Sequence, residues 1–474
     1  MCGILISKSK DPHTISSISH RGIEHKTIED LKNGIYLTHY RLPIQTSVGD
    51  EWKQPYEIRK GLYLLFNGEI FNYSKEKFNS DTEYLVDFFT NNDSYEKIIN
   101  YGIKEIQQWD GFWTIVLYDT DKGKVLTFTD PLGKKQLYVN NLGEIASEIK
   151  PLIKQTSVLD SAFIGAIYKW GYSIDERTPF LNIKRIKPNT IYTWTTKKPN
   201  EKNTYSEYFD FYTSLQNLSS YQIRKEYLRD TLNDSINNRL LSKNYKISML
   251  LSGGLDSAII GGLLVQMGCD VNWFTIDNGE DEFVQCCERK WNIKVQRLSY
   301  KVDIGDRENI EVLKEIYCKW NEGPVDLGSV IPQFLLFKAV KKESDSRIVI
   351  SGDGSDELFG GYRRIDDYDS QGADVLHELS YYHLPRLDKT SMSSTIELRS
   401  PYLHLDLVKF AFSLPFKERF HKKILKDSFI DIVPNEIIER SKVPLKNDYI
   451  KQSPEKYRRF IINLFVTHWK EYLQ

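Results

Sequence analysis

The 474-residue sequence contains no apolar run near the roughly 18 residues that span a bilayer, which argues against a transmembrane helix. It carries almost no charge of one sign in excess. Lys and Arg number 64 against 65 Asp and Glu, a formal net charge of −1, so nothing argues for a nucleic-acid partner or a membrane surface. Cysteine is scarce: Cys2, Cys269, Cys286, Cys287 and Cys318. An odd, thinly spread set argues against a disulfide framework and for reduced thiols in the cytoplasm. No pair has zinc-finger spacing, and the histidines do not cluster as a metal site. The opening MCGILISKSKDP lacks the basic region and long apolar core of a signal peptide. Low-complexity tracts are missing too. What remains is a globular composition, rich enough in apolar residues for a sizeable core and long enough for about two to four domains.

Residues 247–257, ISMLLSGGLDS, stand out. The apolar run 247–251 predicts a buried strand. Ser252, Gly253 and Gly254 predict a turn, and Ala258, Ile259, Ile260, Leu263 and Leu264 a helix. A strand, a glycine turn and a helix start make an anion site. The helix start presents unpaired N–H groups and about half a positive charge. The glycines let a phosphate approach the backbone. Ser252 and Ser257 add hydroxyl donors, and Asp256 can hold a divalent cation on a pyrophosphate. Alone, the turn is also compatible with a loop that merely caps a helix.

A second acidic turn lies at 350–364, ISGDGSDELFGGYRR, with Asp353, Asp356 and Glu357 after a predicted strand at 347–350. Neither glycine turn ends in Gly-Lys-Ser/Thr, so neither is a Walker P-loop. Further strands are predicted at 271–276 and 293–298, and a helix at 221–241. Strands separated by helical segments predict a parallel sheet with ligands at the strand carboxyl ends.

The first half reads differently. Strands are predicted at 34–38, 62–66, 111–118 and 124–129, and helices at 82–90 and 95–107, which fits a layered α/β sandwich. Removal of Met1 would make Cys2 the N-terminal residue, with a thiol and an α-amine of pKa near 7.7–8.0. Nucleophile and base then share one residue. A buried cysteine opening a strand is the plainer alternative. The polar segment TTKKPNEKNTYSE, 195–207, predicts a linker or a long surface hairpin, dividing the chain into 1–195 and 208–474.

The first half resembles a class II glutamine amidotransferase domain, which implies an αββα sandwich of the N-terminal-nucleophile hydrolase type. The matching segments, in the right order and spacing, are Cys2-Gly3-Ile4, Arg41-Leu42, Asn67-Gly68-Glu69-Ile70-Phe71-Asn72, Ser80-Asp81-Thr82-Glu83 and Ala146-Ser147-Glu148-Ile149-Lys150. The resemblance implies Cys2 as nucleophile and Asn67 with the Gly68 backbone as oxyanion donors. Arg41 would bind the glutamine carboxylate and Asp81 its ammonium, with Leu42, Ile44 and Glu69 completing the site. Three segments depart from the family pattern: His20-Arg21-Gly22-Ile23-Glu24, Thr129-Asp130 and Lys135-Gln136. They bear on loop shape and interdomain contacts, not on glutamine hydrolysis.

The turn Ser-Gly-Gly-x-Asp-Ser is similar to the pyrophosphate loop of enzymes that split ATP into AMP and pyrophosphate. With 350–364, Asp388-Lys389-Thr390-Ser391-Met392, Glu397-Leu398-Arg399-Ser400-Pro401 and Arg440-Ser441-Lys442, the second half resembles the asparagine synthetase B family. That implies a doubly wound parallel-sheet ATP-pyrophosphatase domain. ATP would lie against Leu250, Ser252, Gly253, Asp256, Ser257, Ile276, Ser351 and Gly352, with Mg2+ on Asp256 and Asp356. Asp353 would serve acyl-adenylate formation and ammonia handling, and Lys442 would stabilise developing charge. The expectation is a glutamine-dependent asparagine synthetase working on small molecules in the cytoplasm, with no nucleic acid or membrane partner and a homodimer by resemblance. Two alternatives stay open. One is the same mechanism on a sugar uronic acid or other small carboxylate, because the better-known asparagine-forming enzymes have glutamate at Asp353 and the segment 362–387 is short. The other is a regulatory protein that kept its nucleotide and glutamine pockets and lost turnover.

Overall fold

Alternating apolar residues build two antiparallel six-stranded sheets from the first half of the chain. The structure, a computed structural model, describes residues 2–31, 34–44, 52–92, 97–195, 198–204, 207–212, 218–240, 246–276, 281–298, 311–312, 315–316, 327–361, 372–440 and 454–473. The strands are β1 (Gly3–Ser7), β2 (His25–Asp30), β3 (Tyr36–Arg41), β4 (Tyr56–Arg59), β5 (Leu62–Ile70), β6 (Gly111–Asp119), β7 (Lys124–Thr129), β8 (Tyr138–Asn140), β9 (Ile145–Ala146), β10 (Ile183–Arg185), β11 (Ile191–Thr195) and β12 (Lys198–Thr204). One sheet runs β10-β8-β9-β1-β3-β2 and the other β12-β11-β7-β6-β5-β4.

The period-2 alternation of side chains sorts these residues into layers. Ile4 and Ile6 of β1 face Leu65 of β5, Val116 and Tyr118 of β6 and Trp194 of β11 between the sheets. Leu5, on the other face of β1, packs with Phe163 and Ile167 of the helix Ser161–Trp170. Leu64, Phe66, Ile115 and Leu117 point outward from the second sheet and meet Leu85, Phe88 and Phe89 of the helix Asp81–Asn91. The layers are therefore helix, sheet, sheet, helix, as expected from the sequence. The hairpin reading of the polar segment is the one observed, since β12 pairs antiparallel with β11. Of the helix expected at 95–107, the described part is helical, a π-helical turn, Ile98–Gly102, running directly into a short α-helix, Ile103–Ile106.

The second half builds a parallel sheet from β13 (Ile247–Leu250), β14 (Val271–Ile276), β15 (Val295–Leu298), β16 (Ile348–Ile350) and β17 (Glu397–Arg399), in the order β15-β14-β13-β16-β17. The chain moves outward from β13 through β14 to β15, then returns to the other side of β13 with β16. The order reverses between β13 and β16, and this is where open α/β sheets bind ligands. β17 was not foreseen. Glu397 and Arg399 look like a solvated charged face, yet both are fully buried on this short edge strand. Among the described residues, no helix is long and apolar enough to cross a membrane.

Candidate active site

Cys2 sits half-buried at the head of β1, beside the carboxyl-terminal part of β5. Its backbone N–H donates to Asn67 Oδ1 at 2.8 Å. Asn67 is fully buried, and its Nδ2 has no hydrogen-bond partner. A buried amide donor left unpaired costs about 1–3 kcal/mol, so this Nδ2 has room for an acceptor from outside the protein, water included. Gly68 follows on the same strand. A β-carbon there would sit 2.1 Å from the Phe112 carbonyl oxygen, so only glycine lets β5 and β6 approach so closely.

His39 was missed in the sequence and belongs to this group. It lies on β3 opposite Ile4 of β1 and is buried. Its Nε2–H donates to the Phe66 carbonyl at 3.1 Å, which leaves the other ring nitrogen for the Cys2 thiol. Burial pushes that thiol up. Charge from His39 and from the chain's α-ammonium, the His39 hydrogen bond and the Leu42 backbone N–H outweigh burial and bring it down to about 6. Arg41 ends β3 just after Tyr40, the register partner of Gly3, which brings it level with Cys2. Leu42 and Ile44 are buried beyond it.

Asp81 opens the helix Asp81–Asn91 without capping it. Ser80 is the cap, accepting from the Glu83 N–H at 3.1 Å. Asp81 is thereby released to accept the Ile70 N–H at 3.2 Å. Its burial raises the carboxyl to about 7 against the hydrogen bonds from Ile70 and Thr82, with Glu397 adding to the rise. Glu69 is raised as well, by burial and by the nearby Glu397 and Asp81. Arg399 reaches Glu69 at only 3.6 Å and is itself held by Glu397 at 2.6 Å. An added positive charge would favour the ionised form of both buried carboxyls.

In the second half, the turn between β13 and the helix Leu255–Gln266 is locked by its own hydroxyls. Ser257 Oγ accepts the Ser252 N–H at 3.1 Å and lies 3.0 Å from Ser252 Oγ. Gly253 takes the left-handed conformation that only glycine adopts freely, with φ of 73°. Leu250 and Ile276 end the adjacent strands β13 and β14. Ser351 and Gly352 leave β16 beside this turn. A β-carbon on Gly352 would lie 2.8 Å from the Ser257 backbone nitrogen, so the two loops are packed backbone to backbone. Ser351 Oγ donates to Asp353 at 2.5 Å, and burial raises the Asp353 carboxyl.

Asp256 and Asp356 converge on a residue that the sequence did not reveal. Lys422 Nζ lies 2.7 Å and 2.6 Å from the two oxygens of Asp256 and is ion-paired with Asp356 Oδ1. Hard carboxylate oxygens such as these suit Mg2+. Among the described residues there is no group of three or more His, Cys, Asp or Glu side chains that could hold a metal ion. Lys442 lies outside the described residues. Arg440, two residues earlier, donates to the Gly253 carbonyl at 2.9 Å and ties that segment to the turn.

Comparison with known proteins decides the family. Residues 227–375 and 369–467 match the asparagine synthase family model. The chain belongs to the asparagine synthase family. Residues 1–207 match the glutamine amidotransferase domain. Together they make this asparagine synthase family member a glutamine-dependent carbon–nitrogen ligase. It is 28% identical to human asparagine synthetase [glutamine-hydrolyzing] over 432 residues, covering 82% of this chain and 73% of that protein. It is 28% identical over 411 residues to a putative asparagine synthetase from Methanocaldococcus jannaschii, covering 82% and 71%. A probable asparagine synthetase of Acanthamoeba polyphaga mimivirus is 24% identical over 468 residues, covering 90% and 80%.

Segments that depart from the usual pattern contribute contacts between the two halves of this family member. Asp130 accepts backbone N–H groups from Leu132, Lys134 and Lys135, and so shapes the loop that follows β7. That loop carries Lys134 to the Leu398 carbonyl at 2.8 Å and Lys135 to Asp388 at 2.5 Å. Glu24 pairs with Arg347 at 2.5 Å. Arg239 forks onto Asp110 through two nitrogens, at 3.1 Å and 2.9 Å.

Proposed function

We propose that the protein hydrolyses glutamine at Cys2 and passes the ammonia to a carboxylate adenylated in the second half, with aspartate as acceptor and asparagine as product. The observation that carries the first step is Asn67. One end of its amide holds the Cys2 nitrogen, and the other is a buried donor without a partner. Removal of Met1 would turn that nitrogen into an α-amine able to take the thiol proton. The Cys2 sulfur attacks the glutamine amide carbon, and the oxyanion forms against Asn67 Nδ2 and the Gly68 N–H. Collapse expels ammonia, and water then releases glutamate from the thioester.

The second step uses the loops of β13 and β16. The turn 252–254 and the start of the following helix would bind the ATP phosphates. Asp256 and Asp356 would hold Mg2+, which supplies positive charge to the departing pyrophosphate. Lys442 would stabilise charge between carboxylate and phosphate. Ammonia displaces AMP from the acyl-adenylate. A sheltered path inside one protein suits this chemistry, because free ammonia is mostly protonated and non-nucleophilic at neutral pH. Aspartate as acceptor is supported by the names of the relatives. The division of labour corresponds to 1–195 and 208–474.

Incubation with glutamine, ATP, Mg2+ and aspartate should yield asparagine, AMP and pyrophosphate. AMP appearing only with a uronic acid or another carboxylate would overturn the choice of aspartate. Cys2→Ala should abolish glutamine use and spare ammonia-dependent synthesis. An intact mass that retains Met1 would remove the α-amine from the mechanism.

A further inference from the structure

Lys422 occupies an unusual position. It reaches Asp256 and Asp356 from a chain segment that neither sequence pattern nor loop motif connects to them. Both Lys422, with φ of 58°, and His421, with φ of 50°, are in the left-handed region that side chains other than glycine rarely adopt. Such conformations persist where the surroundings enforce them and gather at functional sites. The Lys422 N–H is anchored to the Phe359 carbonyl at 3.1 Å, within the acidic loop itself. Gly361 keeps the space open: a β-carbon there would lie 1.9 Å from Asp356 Oδ1 and 2.6 Å from Lys422 Cε. Ser355 Oγ donates to Asp256 Oδ1 at 2.7 Å and fixes that carboxylate from the other side. Lys422 itself is 6% exposed, so its ammonium has little water to retreat into.

We propose that Lys422 is a built-in counter-ion that holds the cation position between Asp256 and Asp356 while no nucleotide is bound, and that a divalent cation enters only together with the nucleotide's phosphates. The inference rests on reading these loops as the nucleotide site. An ammonium and a divalent cation compete for the same two carboxylates. A metal ion arriving alone must expel a buried ammonium with no anion to receive it. A polyphosphate brings its own anionic oxygens, on which the Lys422 ammonium can settle as the metal takes the carboxylates. Lys422 thus makes metal and nucleotide binding interdependent, and it guards the carboxylate pair against adventitious cations.

Mn2+ serves as the probe, titrated by electron paramagnetic resonance with no nucleotide present. Wild type should bind it weakly. Lys422→Met, which keeps the length and loses the charge, should bind Mn2+ at least tenfold more tightly, while Lys422→Arg should stay weak. Equal Mn2+ affinity in wild type and Lys422→Met overturns the proposal. If Lys422→Met is too unstable to titrate, wild type carries the test through its melting temperature. Mn2+ alone should leave it unchanged, and Mn2+ with an ATP analogue bridged by methylene between the α and β phosphorus should raise it. An equal rise from Mn2+ alone overturns the Lys422 inference only. No rise even with the analogue removes the nucleotide site, and the inference with it.

Discussion

The Arg21 guanidinium lies 3.0 Å from the Asp388 carboxylate, although 367 residues separate them in sequence. The same guanidinium donates through Nε to the Cys2 carbonyl at 3.1 Å and through Nη1 to Glu148 at 2.8 Å. Arg21 is therefore a direct link between the backbone of Cys2 and a helix of the second half, Leu384–Met392. Asp388 and Glu148 are both held below the usual carboxylate range. Burial opposes this, but Arg21 and Lys135 outweigh it at Asp388, and His20, Lys389 and Arg21 do so at Glu148.

Truncation of Arg21 leaves two buried carboxylates short of a partner. Arg21→Ala should cost about 3–5 kcal/mol in urea denaturation, the range for breaking a buried pair from one side. Arg21→Lys should recover little, because a compact ammonium lacks the planar fork that spans acceptors on three separate segments. The double variant with Asp388→Ala should lose less than the sum of the single losses. Strict additivity would mean that the pair contributes nothing specific.

With the proposed role, Asp81 should set a pH dependence on glutamine binding. Its carboxyl is neutral below about pH 7 in the empty site, so pairing with the glutamine ammonium requires it to lose a proton. The KM for glutamine should rise as pH falls below 7, by up to about tenfold per pH unit, and Asp81→Asn should flatten that rise. Stability moves the opposite way. A carboxyl raised on folding contributes most below its unfolded pKa, and the contribution is lost as pH rises through 7. The empty protein should therefore gain more melting temperature from an unreactive glutamine analogue at pH 8 than at pH 6.

Asn67→Asp separates the two jobs of Asn67. The carboxylate can still accept from the Cys2 nitrogen, but the Nδ2 donor is gone. Glutamate release should fall about 10²–10³-fold in kcat with KM nearly unchanged, the pattern of an interaction made in the transition state. A change confined to KM would assign Asn67 to ground-state binding.

The parts legible in the sequence were those in which contiguous residues carry the whole device. A strand, a glycine turn and a helix start are all present within 247–264, whereas Asn67 and Gly68 were singled out through the family resemblance. His39 and Arg41 share a face of β3 by simple alternation, so the signal for His39 was present beside a residue already singled out. β17 was hidden because three residues, two of them charged, look like surface. Only the packing of Arg399 between Glu397 and Glu69 explains its burial. Lys422 had no local signal, since its partner Asp256 is 166 residues away and the contact exists only once the parallel sheet has formed.

The close packing of the two loops at β13 and β16 makes Gly352 a test of whether the two chemistries are separate. An added methyl group would meet the Ser257 nitrogen at 2.8 Å and the Asp256 carbonyl carbon at 2.9 Å. Both are backbone atoms, and no rotamer change relieves the clash. The loops must part, which displaces Asp256 from Asp356 and opens the phosphate turn. Gly352→Ala should therefore lose at least about tenfold in ATP-dependent pyrophosphate release, the order that a small misplacement of reacting groups produces. The proposed glutaminase site at Cys2 is built on β1, β3 and β5, so that activity should persist. Gly165→Ala is the control. It lies in the helix Ser161–Trp170 with nothing within 4 Å of the added carbon. It should keep both activities and gain about 0.5–1 kcal/mol from the helix preference of alanine over glycine. Parallel loss of both activities in Gly352→Ala, with Gly165→Ala intact, would mean that the phosphate turn also governs the thiol site, and the buried ion pairs around Arg21 would be the route by which it does so.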